Sequence, residues 1–192
     1  MSKSTRDQFN DLLRSEGLNA GIVPVSNIPN EESRLNEVNR LGILNRDLDQ
    51  EAQYNALTQL AAIITKSQIG LINILGSNIQ QCKTNFGFNV LESTLTEEMP
   101  REISICQYSL ASPQEPLIIN DLFLDERTKH FKKLEAYENL RFYAGSPLIS
   151  SRGFSIGTLC VIDDKPKNIE HDQIEGLRLL ADQVVNMLEQ EF

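Results

Sequence analysis

The hydrophobic pattern of this chain changes period twice, and those two changes narrow the folds open to it. Up to about Ser67 the apolar residues recur every three or four positions. From there to about Asn168 they alternate, or run in short blocks bounded by Gly, Pro, Asn and Ser, and beyond Asn168 the helical spacing returns. In ESRLNEVNRLGIL, Leu35, Val38, Leu41 and Leu44 share one helical face, and Gly42 weakens the helix near its end. QEAQYNALTQLAAIITK carries Ala56, Leu57, Leu60, Ala61 and Ile64 as a stripe wide enough to lie on a sheet. NIEHDQIEGLRLLADQVVNMLEQEF repeats Ile174, Leu177, Ala181, Val184 and Leu188 at steps of three and four, with Leu180 and Met187 to one side and Val185 to the other.

Between the helices, QIGLINILG and NIQQCKTNFG suit two antiparallel strands turning at Gly76-Ser77. PREISICQYSLAS fits a helix or a strand; the spacing of Ile103, Cys106 and Leu110 behind Pro100 favours a short helix. PLIIND reads as a short buried strand, and LDERTKHFKKLEAY as a helical or partly helical connection. LRFYAGSPLIS and FSIGTLCVID are two strands joined at Ser151-Arg152-Gly153. Mostly antiparallel strands with helices at both ends imply an α+β fold: an antiparallel five- to six-stranded sheet with the 50–65 and 170–190 helices on one face. The connections over 85–118 and 121–140 would cover the other face, where loops and short helices leave room for a pocket. Residues 1–30, a weak helix in DQFNDLLRSEG and a Gly-, Pro- and Asn-bearing stretch, read as an N-terminal extension and linker, so the domain spans 31–192.

Composition sets the expected partners. With 27 acidic against 18 basic residues the formal net charge is −9, which repels phosphate backbones and anionic lipid, so neither nucleic acid nor a membrane surface is an expected partner. No apolar run reaches the roughly 18 residues of a membrane span, and the charged N-terminus lacks a signal-peptide core, so a cytoplasmic location is expected. Cys82, Cys106 and Cys160 are too widely spaced for a zinc pattern, and with only His130 and His171 beside them no metal site is expected. The sequence identifies no cofactor.

RFYAGSPLISSRGFSIGTLCVIDDKPK resembles the end of a bacterial GAF domain, in the subgroup with an RFYAG strand and a GTLCVID strand. PNEESRLNEVNRLGIL resembles that family's first helix, REISICQYSL its segment with a Ser-x-Cys step, and PLIINDLFLDERTKHF the strand, Asp and Phe ahead of the pocket cover. The resemblance runs from about Pro29 to the C-terminus. It implies a small-molecule-binding sensory or regulatory module in intracellular signal transduction, without catalysis of its own, acting on a kinase or cyclase. No output domain follows before Phe192, so the expectation is an output in trans or an excised sensor.

A binding cavity needs a few polar groups fixed in an apolar wall rather than a nucleophile with its base. Alternate strand residues face opposite sides, so Phe142, Ala144, Thr158 and Cys160 divide between a helix-packed face and a cavity face. The candidate ligand-binding residues are Asn120, Asp121, Phe131, Tyr143, Thr158 and Cys106, with no catalytic residue, and the cavity is expected between the sheet and the 121–140 connection. Cys106 and Cys160 are either small core residues or redox thiols; neither has a cationic neighbour in sequence. Asp125 reads as a cap before it reads as a ligand contact, and the Arg127–Lys133 cluster as a solvated face before a phosphate contact. His130 has no cysteine beside it, against bilin attachment, and the Asn-Lys-Phe-Asp-Glu set of cyclic-nucleotide-binding relatives is not recognisable. Besides the unidentified small-molecule ligand, the expected partner is a second copy, through the terminal helices, whose apolar residues exceed one sheet-facing stripe. Two alternatives stay open: a ligand-free dimerisation module, and a thiol-dependent enzyme like the free methionine sulfoxide reductases.

Overall fold

The computed structural model describes residues 25–48, 51–87, 98–133 and 137–190. The helix expected near the N-terminus lies outside them. Helix α1 spans Glu31–Arg40. Gly42, at φ 61°, turns the chain in the left-handed region that glycine tolerates best, and a short 3₁₀ turn, Ile43–Asn45, follows. Val38, Leu41 and Ile43 therefore enter the core, whereas Leu35 and Leu44 are only half-buried.

Helix α2, Ala52–Thr65, buries Tyr54, Leu57, Thr58, Ala61, Ala62 and Thr65. Its buried stripe is rotated from the expected one: Ala56 and Leu60 are exposed and Ile64 is half-buried. Close packing accounts for the rotation. The helix lies so near strand β1 (Ile69–Leu75) that a Cβ on Gly70 would run into the Thr58 carbonyl, so small side chains take the sheet-facing positions.

The remaining strands are β2 (Ile79–Phe86), β3 (Glu98–Pro100), β4 (Leu117–Ile119), β5 (Phe142–Ile149) and β6 (Ser155–Asp163). Among the described residues they form one antiparallel sheet in the order β3-β2-β1-β6-β5-β4. Three-residue β3 immediately precedes the 3₁₀ turns Arg101–Ile103 and Ile105–Ala111, so Pro100 ends a strand as well as opening a helical turn. Among the described residues, the connection after β4 contains turns and the 3₁₀ segment Phe131–Lys133. Helix α3, His171–Gln190, completes the fold.

Strand alternation separates two cores. Ile72, Ile74, Phe142, Ala144, Leu159 and Val161 face the helices, meeting Val38, Leu57, Ala61, Leu177, Ala181, Val184 and Leu188. Leu71, Leu75, Tyr143, Cys160 and Ile162 face the other way, under Ile105, Cys106, Leu110, Leu122, Phe131 and Tyr137. Helices α2 and α3 thus share one face of the sheet, as the pattern predicted. All nine residues of β6 are buried, because β6 is central in the sheet and both of its faces are covered.

Arg34 fastens α1 to the end of this sheet. It is 2% exposed, and its guanidinium donates to the carbonyls of Leu75 (2.7 Å), Ser155 (3.3 Å) and Gly76 (3.3 Å) and to the Glu31 carboxylate (2.6 Å). Arg101 joins from the cover, donating to Glu31 (2.5 Å) and the Gly76 carbonyl (2.8 Å). Burial pushes the Glu31 carboxyl up, but the hydrogen bonds from Arg34 and Arg101 outweigh it and hold the group below its ordinary range. At the other end, Lys167 donates to the Thr65 (3.2 Å) and Lys66 (2.9 Å) carbonyls that α2 leaves open, and to Asp163 (2.8 Å). Replacing Arg34 by Met leaves Glu31 and three buried carbonyls short of a donor. The expected loss of unfolding free energy is about 3 kcal/mol by urea denaturation; a loss under about 1 kcal/mol would mean that the clamp is no stronger than a surface pair.

Candidate functional site

The site grows from the 98–111 segment. The Ser104 backbone amide closes the preceding turn on Arg101 (3.0 Å), while its hydroxyl accepts the Cys106 amide (3.0 Å) and donates to Gln80. A hydroxyl capping the backbone two residues on starts the next helical turn. The Ser-x-Cys step of the sequence therefore places Cys106 at the start of a 3₁₀ turn, buried against the sheet.

Across from it, register builds the opposite wall. Cys160 pairs with Leu71 on β1 and with Gly145 on β5, and Asn73 pairs with Thr158. Gly145 has no side chain to fill its position, and the Tyr143 phenol lies over it; a Cβ there would run into that ring. From this seat the Tyr143 hydroxyl donates to Cys106 Sγ at 3.3 Å. Asn73 Nδ2 donates to both sulphurs, Cys106 and Cys160, at 3.4 Å each.

Cys106, Cys160, Asn73 and Tyr143 line a cavity of about 20 Å³, room for one water molecule. Leu71, Gln80, Cys82, Met99, Ile105, Tyr137 and Ile162 complete its wall, so all three cysteines of the chain border one space. Asn73 Oδ1 is buried and has no hydrogen-bond partner among the described residues. Tyr137 donates to the Ile103 carbonyl (2.7 Å), and Phe131 stacks on it at 5.1 Å from behind.

The two thiols titrate apart. Burial alone would raise the Cys106 thiol, but hydrogen bonds from Cys160, Thr158, Tyr143 and Asn73 outweigh it and bring the group down to about 6. Cys160 moves well up, because its proton is held by the Cys106 sulphur and because it too is buried. Burial and the adjacent sulphur charge also push the Tyr143 phenol well up, so it stays a donor.

Of the six residues singled out in the sequence, Cys106 and Tyr143 meet at this cavity, and Thr158 is buried on the same strand face beside them. Phe131 is buried one layer behind, in the stack with Tyr137 and Tyr108. Asn120 is exposed and donates to Asn168 (3.0 Å), away from the cavity wall. Asp121 forms a two-point pair with Arg141 (3.0 and 2.6 Å) and accepts the Phe123 amide (3.0 Å); it locks the end of β4 to the start of β5. Asp125 caps the following turn and pairs with Arg127 (2.6 Å), and Lys129 pairs with Glu126 (2.5 Å), so these members of the basic cluster are neutralised locally. The cover over the cavity comes from 98–111 more than from 121–140, which contributes Tyr137. Sequence reading missed Asn73, Gln80 and Met99. Asn73 had a signal: an amide amid the aliphatics of QIGLINILG, at a position buried from both sides.

The sequence profile described as the GAF domain matches residues 49–188. A cyclic di-GMP phosphodiesterase of Pseudomonas aeruginosa is 29% identical over 137 residues, which is 71% of this chain and 22% of that protein; the chain thus spans about a fifth of the length of this curated relative. Among solved structures, the GAF domain region of a putative membrane protein from Geobacter sulfurreducens superposes with a TM-score of 0.60 at 18% identity, covering 78% of this chain and 99% of that one. A type II free methionine-R-sulfoxide reductase from Thermoplasma acidophilum superposes with a TM-score of 0.59 at 15% identity, covering 73% and 93%.

The acidified thiol gives a direct test. Thiolate ultraviolet absorbance should appear with a midpoint near pH 6, vanish in Cys106→Ser, and persist in Cys82→Ser. In Gly145→Ala the midpoint should rise, because the new Cβ displaces a donor. A thiol more acidic folded than unfolded contributes stability that is complete above the ordinary value of 9.0 and is lost as pH falls through about 6. A wild-type midpoint in the ordinary range near 8.5 would contradict this geometry.

Proposed function

Because the chain belongs to the GAF domain family, we propose that it is a sensory or regulatory module, cytoplasmic and without catalysis as its main role, whose signal enters at the cavity between β6 and the 98–111 cover. The observation that carries this reading is Asn73 Oδ1: a buried acceptor on the cavity wall with no partner among the described residues. Leaving such an atom unpaired costs about 1–3 kcal/mol, which a bound donor would recover. Cys106, Tyr143 and Thr158 are the residues that would share the ligand with it. The cover is built from 3₁₀ turns, whose hydrogen-bond geometry is poorer than that of an α-helix; in this reading it moves to admit a ligand larger than the cavity. Asn120, Asp121 and Phe131 act through the cover: Asp121 anchors it and Phe131 backs Tyr137.

The output runs through the helices. β6 touches the cavity with Cys160 and the α3 layer with Leu159 and Val161, so a shift on one face is felt on the other. The partner in this reading is a second copy, with a kinase, cyclase or cyclic-dinucleotide enzyme as the output. Val38, Leu41 and Val185 are buried within the chain, while Leu180 and Met187 are half-buried against the same core. The contact surface in this reading is therefore centred on Leu60 (43% exposed), Ile63 (58%) and Leu179 (63%) of α2 and α3. Among the described residues no helix is long and apolar enough to cross a membrane.

The paired thiols favour a second reading, a thiol-dependent reductase of free methionine sulfoxide. Native mass spectrometry of gently purified protein separates these readings. The expected result is a dimer carrying extra mass, reduced to monomer by Ile63→Glu. A bare dimer would leave a dimerisation module, a monomer would remove the second copy, and thioredoxin-coupled turnover of free methionine sulfoxide would replace sensing by catalysis.

A further inference from the structure

All three cysteines of the chain stand on one small cavity, although they lie far apart in sequence. Cys106 and Cys160 share the Asn73 amide as a hydrogen-bond donor, at 3.4 Å each. Both are free thiols and both are buried. Nothing in the packing requires two thiols here; aliphatic side chains would fill the same volume without the polar neighbours. We propose that Cys106 and Cys160 form a hydroperoxide-reducing thiol site, with hydrogen peroxide as the substrate and an internal Cys106–Cys160 disulfide as the product. The reaction goes beyond the sensory reading and stands or falls apart from it.

The cavity the two sulphurs border, about 20 Å³, has room for a water-sized molecule, and hydrogen peroxide is the hydroperoxide nearest to that size. Asn73 Oδ1, still lacking a donor among the described residues, can accept one O–H of the peroxide. The chemistry then follows from the two sulphurs. Cys106 reacts as the thiolate, favoured because Asn73 (3.4 Å) and Tyr143 (3.3 Å) donate to its sulphur. Its sulphur attacks one peroxide oxygen and the O–O bond breaks. The departing hydroxide takes up the proton that Cys106 had released and leaves as water, and Cys106 becomes a sulfenic acid. Cys160 keeps its proton until this point. Its sulphur then attacks that of Cys106; the S–O bond breaks, the hydroxide leaves with the Cys160 proton as a second water, and the S–S bond forms. Two thiols are oxidised and one peroxide is reduced to two waters. Cys160 is fixed in the central strand, so the closing movement to an S–S bond of about 2 Å falls to Cys106 on its 3₁₀ turn.

The test uses the whole reduced chain, one equivalent of hydrogen peroxide, alkylation of the remaining thiols and peptide mass mapping. The expected product is a Cys106–Cys160 cross-linked peptide, with Cys82 alkylated, reversed by dithiothreitol. In Cys160→Ser the sulfenic acid should accumulate on Cys106 and be trapped by a diketone probe. The wild-type rate should fall about tenfold per pH unit below the Cys106 midpoint, following the thiolate fraction. Cys106 and Cys160 that both remain alkylatable, oxidation confined to Cys82, or a disulfide between chains would each overturn the proposal. Because the mapping is done on the wild-type protein, a variant that fails to fold does not remove the test.

Discussion

A strand buried on both faces governs this molecule. β6 lies between β1 and β5 in the middle of the sheet, and none of its nine residues reaches solvent appreciably. Such a strand is stable only when each face has its own cover. On one side Leu159 and Val161 meet α2 and α3; on the other Cys160 and Ile162 meet the 3₁₀ turns and loops. The period changes along the chain supply both covers: helices before and after the sheet for one face, the long connections within it for the other. The clamps at the ends, Arg34 on the β1 carbonyl end and Lys167 on the last turn of α2, serve the same requirement by holding the covers in register with the strands.

The two covers pack differently, and the site follows from that difference. Helix on sheet is dense enough for Gly70 to be needed where α2 passes over β1. Loop on sheet is less dense, and its residual space collects polar groups from both sides: the Asn73 amide, the Cys160 thiol and the Tyr143 phenol of the sheet, and the Cys106 thiol of the cover. Each has a cost in a low-dielectric interior unless it is partnered. They are partnered mainly with one another, and the split of the two thiols into an acidic and a reluctant member is the electrostatic consequence. Gly145 matters as much as any polar residue here, since only its missing side chain lets the Tyr143 ring reach Cys106.

Much of the fold was legible because hydrophobic period is a local signal that long elements repeat. The strands around Leu71, Gly145 and Cys160, the turn at Ser151–Gly153 and the helix from His171 all lie where the pattern put them. The α2 stripe was rotated because packing distance, which a period does not encode, favoured Thr58 and Ala62 over Ala56 and Leu60. The site was half legible. Tyr143 and Cys106 stood out as polar or reactive groups among aliphatics. Asn120 and Asp121 stood out equally, but as a loop contact and an Arg141 anchor, roles that local sequence does not distinguish from ligand binding. That Cys106 faces Cys160 depends on how the 98–111 segment folds back over β6, a long-range contact with no local signature.

In the proposed reading, the loop-covered face and the helix-covered face communicate through β6. Hydrogen–deuterium exchange on Cys160→Leu, which overfills the cavity from within the strand, tests it most directly. The expected result is altered protection in β6 and along α3 as well as in the 98–111 cover, because an overpacked central strand passes its displacement to both layers. Changes confined to the cover, with α3 protected as in the wild type, would contradict it.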